Sequence, residues 1–223
     1  MGNMPSIPTT TSSDPIEGWR IWNLADTPAG PTLLPAGSGV DAWAPRQAAE
    51  ARCGASAILT LGRGPHRAPA LDCRCGIYAA RSLEVFDRPR PAWPPPPVVG
   101  TVALWGTVIE HEGGWRAQWA YPSRLALVCA MCAWFEPGPG TPVVVHAFAG
   151  KQYPLCSEHR AGIMVPDGRR TQPSGEEPAA LQARLLDAYA VDPLPFDAYA
   201  WLFRQPRTAE PPAYFPSIRP VRP

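Results

Sequence analysis

The sequence predicts an α+β fold, mainly β: a small antiparallel sheet or partial barrel with a C-terminal helix. Three observations carry this expectation. The run from Val98 to Tyr121 reads as a long β-hairpin around Gly113-Gly114, a two-residue turn of the primed type. The chain of 223 residues holds 31 prolines, which remove backbone donors and fix φ, favouring short strands and irregular connections. Six cysteines and two of the four histidines sort into two clusters of four, the ligand number of a closed zinc site. The sheet is therefore expected to be stabilised by zinc.

Taken in order, residues 1–15 are polar and rich in Ser, Thr and Pro, and read as a disordered leader. A single zinc-stapled domain is expected over 16–203, its first metal half at 16–97. Glu17 to Leu24 alternates like a short strand, and Ile77 to Asp87 reads as a short helix. Arg88 to Pro97 reads as an extended linker or a polyproline II segment. The hairpin and a zinc-ribbon half occupy 98–170. With Gly113-Gly114 as the turn, Glu112 pairs with Trp115, Glu110 with Ala117, Val108 with Trp119 and Gly106 with Tyr121. The outgoing strand is apolar on both faces, as a central or barrel strand would be. Pro142 to Phe148 is a further β run that leaves His146 satisfied within a sheet. Ser174-Gly-Glu-Glu177 looks like a capping box opening a helical segment within 174–203, with Leu181, Leu185, Leu186 and Tyr189 as its apolar stripe. Residues 204–223 form a proline-rich tail.

Bulk composition limits the function classes. Twenty basic residues nearly cancel 19 acidic ones, so a net charge of +1 gives no reason to expect duplex DNA as partner. No signal peptide and no apolar run of membrane-spanning length is present, which reads as a cytoplasmic protein without a membrane partner. In a reducing compartment, paired Cys motifs favour metal over disulfides.

The second cluster is Cys129-x2-Cys132 followed by Cys156-x2-His159. Two intervening residues let a tight turn aim both side chains at one ion, and a β excursion joins the halves as in a zinc ribbon. The first cluster is Cys53, His66, Cys73 and Cys75, with irregular spacing. It is read as a second zinc site, against a redox-active dithiol at Cys73 and Cys75. With one ligand fewer it would be a catalytic zinc carrying a water. The hairpin register places Glu110 and Glu112 on the face of Trp115 and Trp119, with His111 opposite, beside Arg116. A carboxylate among aromatics can serve as general acid or base, and a solvated hairpin tip is the simpler reading. Trp105, Trp115 and Trp119 read as core filling. No phosphate-binding loop, dinucleotide fingerprint or nucleophile elbow is found.

Cys73-Arg-Cys-Gly-Ile-Tyr-Ala79, followed by the Leu-Trp-Gly, Glu-His-Glu and Ala-Tyr-Pro elements of residues 104–122, resembles a group of uncharacterised bacterial proteins. That resemblance spans about residues 17–125 and implies no activity. Gly76-Ile-Tyr-Ala79, Ser82 and a strand bearing Glu110 are also similar to elements of ADP-ribosyltransferases. That likeness implies Tyr78 stacking on nicotinamide and Glu110 orienting a ribose hydroxyl. The His-Gly or Arg element that precedes them in that family has no match here. The expected function is a zinc-binding scaffold or binding module for a protein or nucleic-acid partner. The alternative is an ADP-ribosyltransferase-like or zinc-dependent enzyme using Tyr78 and Glu110.

Overall fold

The computed structural model describes residues 9–36, 42–53, 66–87, 96–135, 138–165 and 168–203. The elements run β1 (Thr9–Thr27), β2 (Gly30–Pro35), β3 (Ala49–Glu50), β4 (Ile77–Ala80), β5 (Val98–His111) and β6 (Gly114–Leu127). Then come α1 (Ala130–Trp134), β7 (Val144–Phe148), β8 (Lys151–Leu155), β9 (Gln172–Pro173), α2 (Pro178–Tyr189), β10 (Asp192–Pro193) and α3 (Phe196–Tyr199). Short 3-10 turns lie at Leu83–Asp87 and Ala200–Phe203. The tail at 204–223 and residues 88–95 of the linker lie outside the described residues.

Four strands close a ring. β1 pairs with β5, β5 with β6, β6 with β4, and β4 returns to β1 through the single pair Trp19↔Ala80. The result is the expected partial barrel, nearly all antiparallel, with β10 the one parallel addition. Val98, Val102, Leu104 and Val108 of β5 face one core while Val99 faces another, so β5 is buried on both sides as its composition required. The first core is the barrel interior. Trp22, Leu24, Leu33 and Trp43 meet Ala117, Ala120, Leu125 and Leu127 there.

The helix α2 closes this interior with Leu181, Leu185 and Tyr189, all fully buried. Burying each such side chain stabilises the fold by roughly 1.5–3 kcal/mol. Leu186, the fourth residue of the expected stripe, only flanks that core. The second core lies on the outer face, where α1, β8 and the last helical turns pack Trp134, Tyr153, Leu155, Leu202 and Phe203 around three cysteines. His146 is buried, with Nε2 3.0 Å from the Arg160 carbonyl and Nδ1 3.1 Å from the Thr171 hydroxyl. That hydroxyl accepts from the Ile163 N–H, leaving its own proton for Nδ1, so a neutral imidazole is fully satisfied.

Several expectations are corrected. The strand β1 begins at Thr9, within the span read as a leader. Ile77–Ala80 is a strand rather than the start of a helix, because β6 offers it a free edge, and only Leu83–Asp87 turns helically. The hairpin turns at Glu112-Gly113, one residue earlier than expected, pairing His111 with Gly114 and Glu110 with Trp115 and so moving each partner by two positions from the expected register. Gly114 belongs in the ladder since a Cβ there would sit 2.1 Å from the Ala79 carbonyl oxygen. A shift between Trp105 and Val108 then sets Ala103 opposite Tyr121, and Gly106 lies inside that irregularity. The capping box does not form. Ser174 Oγ instead donates to the Val145 carbonyl and accepts from the Glu176 N–H, and Glu177 occupies the N-cap position, without a side-chain bond, of a helix that starts on Pro178. Trp105, Trp115 and Trp119 are half-buried at the rim, while Trp22 and Trp43 fill the interior.

Candidate metal centres

Both Cys/His clusters assemble. In each, the four ligand atoms lie within 4.8 Å of one another, and each set could hold a metal ion. The second cluster is built by two separate hairpins. Leaving β6, the chain enters α1 at Cys129, whose N–H donates to the Gly140 carbonyl at 2.9 Å, and one turn of helix carries Cys132 back alongside. Leaving β8, a tight turn closed by the His159 N–H on the Cys156 carbonyl presents the other two ligands.

His159 Nδ1 lies 3.5, 3.4 and 3.3 Å from the sulfurs of Cys129, Cys132 and Cys156, and the Cys132 and Cys156 sulfurs are 3.5 Å apart. Edges of about 3.6 Å (S to N) and about 3.8 Å (S to S) are those of a tetrahedral Cys3His site. The cage is the right size for one ion, and far too wide for a disulfide, whose sulfurs bond at about 2.05 Å. All three cysteines are fully buried. Gly138 is required beside them, since a Cβ there would stand 2.7 Å from Cys132 Sγ.

The protonation of the metal-free cage follows from these contacts. Hydrogen bonds from Cys129 and Cys132 hold the Cys156 thiol far below its ordinary range. Hydrogen bonds to Cys129 and Cys156 push Cys132 far up, and the sulfurs of the same two residues raise His159 from 6.5 to about 10. These directions favour an imidazolium beside a thiolate in the metal-free cage.

The first cluster has a different origin. Both β3 and β4 pair with the same edge of β6, at Ala49↔Ala120 and Ile77↔Ala117, and the Ala51 N–H continues onto the Gln118 carbonyl at 2.7 Å. The two short strands continue one another along the same side of β6, and all four ligands fall in the excursion between them. Cys53 Sγ lies 3.8 Å from Cys73 Sγ, and His66 Nε2 lies 3.2 Å from Cys75 Sγ. Arg116 of β6, itself buried, donates from one guanidinium nitrogen to the carbonyls of both Cys73 and Cys75. The Cys75 N–H holds the Cys73 thiol at about 7 against the opposing effect of burial, which pushes Cys75 up to about 11. These ligands are only half-buried, and three of them line a cleft of about 720 Å3 with Trp43, Trp119 and Arg74.

Tyr78 and Glu110 do not converge. The ladder aligns Tyr78 with Arg116 and Ile109, and Ala79 with Trp115 and Glu110, so the two side chains leave opposite faces of the sheet. Tyr78 is 42% exposed, its hydroxyl donates to the Arg74 carbonyl at 2.7 Å, and its ring meets His111 at 5.6 Å. Glu110 is paired with Arg81, whose guanidinium also lies over the Trp115 ring.

Arg116 and Gly138 are the supporting residues that sequence reasoning missed. Arg116 alternates like any strand residue and carries no motif, while Gly138 is one of several glycines in a Pro/Gly-rich loop. The chain matches no family model, no curated protein and no solved structure. Among the described residues, no helix is long and apolar enough to cross a membrane.

Proposed function

We propose that this protein is a cytoplasmic binding module whose partial barrel is held by two structural zinc ions. The observation that carries the reading is that both Cys3His sets gather their four ligand atoms in one place. Three thiolates and an imidazole are a borderline-soft donor set of the kind zinc takes, and four protein ligands leave no position for a reactive water. Six unbridged thiols suit a reducing compartment.

The recognition surface is the cleft beside the first cluster, where Trp119, Gln47, Glu50, Arg52 and Arg74 combine an aromatic face with both signs of charge. Such a lining suits a protein segment or a single-stranded nucleic acid rather than a duplex or a membrane. Elemental mass spectrometry on protein purified without chelator tests the first part, with two zinc ions per chain expected. One or none removes a centre. A raised ratio of absorbance at 260 to 280 nm in the same preparation identifies a nucleic-acid partner. A clean ratio turns the search to proteins, and loss of that partner in Trp119→Ala supports the cleft.

A further inference from the structure

We propose that Cys53 and Cys73 are a site of reversible oxidation by hydroperoxides, in which a disulfide forms between them and the metal of the first cluster is expelled. The proposal rests on the reading of that cluster as a zinc site.

The two centres differ in access. Cys129, Cys132 and Cys156 are fully buried in the second core, whereas Cys53, Cys73 and Cys75 are half-buried and line the cleft of about 720 Å3. A peroxide can reach the first set of sulfurs from solvent and meets packed side chains before the second. Zinc-bound cysteine is already a thiolate, the form that attacks an oxidant.

Geometry selects the pair. Cys53 and Cys73 sulfurs face each other at 3.8 Å, while Cys75 is engaged with His66 at 3.2 Å. A bridge between Cys73 and Cys75 would close across a single residue, a ring too tight for ordinary disulfide geometry.

The chemistry balances. One thiolate of the pair attacks the peroxide, forming an S–O bond and breaking O–O, and the departing hydroxide takes a proton to leave as water. The second thiolate attacks the resulting sulfenic sulfur, forming S–S and releasing a second hydroxide, which is protonated in turn. Two electrons have passed from two sulfurs to one peroxide. Zinc, left with Cys75 and His66, is lost to solvent.

The consequence is local. All four ligands belong to the excursion between β3 and β4, so its release leaves the ladder pairs of β6 with β5 intact. What changes is the wall of the cleft. A thiol reductant and zinc restore it.

Stepwise addition of hydrogen peroxide to the zinc-loaded full chain tests this, with released metal read by a chromophoric chelator. Thiols are mapped by differential alkylation and mass spectrometry. The expected result is loss of one zinc of two, a Cys53–Cys73 disulfide and reversal by reductant. The Cys129, Cys132 and Cys156 thiols should be protected, with release from the first centre at least about tenfold faster. Release from both centres at one rate, or a first centre that keeps its zinc under excess peroxide, overturns the inference while leaving the zinc reading standing. A chain that carries no zinc at the first cluster before peroxide is added refutes both.

Discussion

The hydroxyl of Tyr189 donates to the Trp43 carbonyl at 2.5 Å and accepts from the Leu33 N–H at 2.8 Å. One side chain from α2 thus links β2 to the segment around Trp43, inside a core where all three residues are buried. The Tyr121 hydroxyl fixes the same helix end, donating to the Tyr189 carbonyl at 2.7 Å and accepting from the Arg46 N–H. Tyr189→Phe leaves a buried N–H and a buried C=O without that partner, and should cost about 2–4 kcal/mol in urea unfolding.

The same tyrosine sets an alkaline limit. Burial pushes its phenol from 10 up to about 12 in the fold. The folded chain therefore keeps a proton that the unfolded chain loses, and the sign follows: the stabilisation is complete below about pH 10 and is lost as pH rises toward 12. Tyr153, also raised to about 12 by burial, adds in the same direction. Unfolding free energy should fall across that window, with a shallower slope in Tyr189→Phe. An equal slope in the variant would assign the effect elsewhere.

The two metal sites should differ in what their loss does to the fold. Cys156 belongs to the second core and its cluster ties the β7–β8 hairpin to α1. Cys156→Ala should release one metal and lower stability by several kcal/mol, about 3–5, with Trp134 fluorescence shifting as that core opens. Cys75→Ala should also release one metal, yet cost only about 1–2 kcal/mol, since Cys75 belongs to neither core. Metal content and thermal melts on the two variants decide this. Equal losses would contradict the division between core and edge.

Both clusters were legible in the sequence because three thiols and an imidazole grouped in fours match the ligand count of a closed metal site. The strand pair β5–β6 was legible from its β-prone residues and glycine turn. Its register was not, since the choice between Glu112-Gly113 and Gly113-Gly114 depends on β4, a strand distant in sequence whose Ala79 carbonyl admits no side chain at residue 114. Ile77–Ala80 was misread for the same reason: four residues take their structure from the edge they join. Arg116 stayed hidden because its partners are backbone carbonyls, which no spacing rule encodes.

Those carbonyls give Arg116 a measurable role. Its guanidinium holds the Cys73-x-Cys75 turn from the strand beneath through the two carbonyls, orienting two candidate ligands without entering the cage. Arg116→Met keeps the length and apolar stem of the side chain and removes the donors. It should weaken metal at the first cluster by about 10- to 100-fold in chelator competition, leave the second centre unchanged and preserve the circular dichroism of the sheet. Weakening at both centres would point to general destabilisation instead.

Metal uptake by the second cluster should release protons at neutral pH. Without metal, the Cys129 and Cys156 sulfurs keep His159 protonated up to about 10, and Cys132 holds its own proton far above the usual thiol range. Coordination requires a neutral imidazole and a thiolate, so both protons must leave when the ion enters. Lower pH returns them and opposes binding. Affinity should therefore rise steadily from pH 6 to about 9, because the competing protons remain bound throughout that range in the apo form. Titration calorimetry of zinc into apo protein, repeated in buffers of different ionisation enthalpy, counts the protons directly. A heat independent of buffer would mean that the cage is already deprotonated before metal arrives, and that the imidazolium arrangement is wrong.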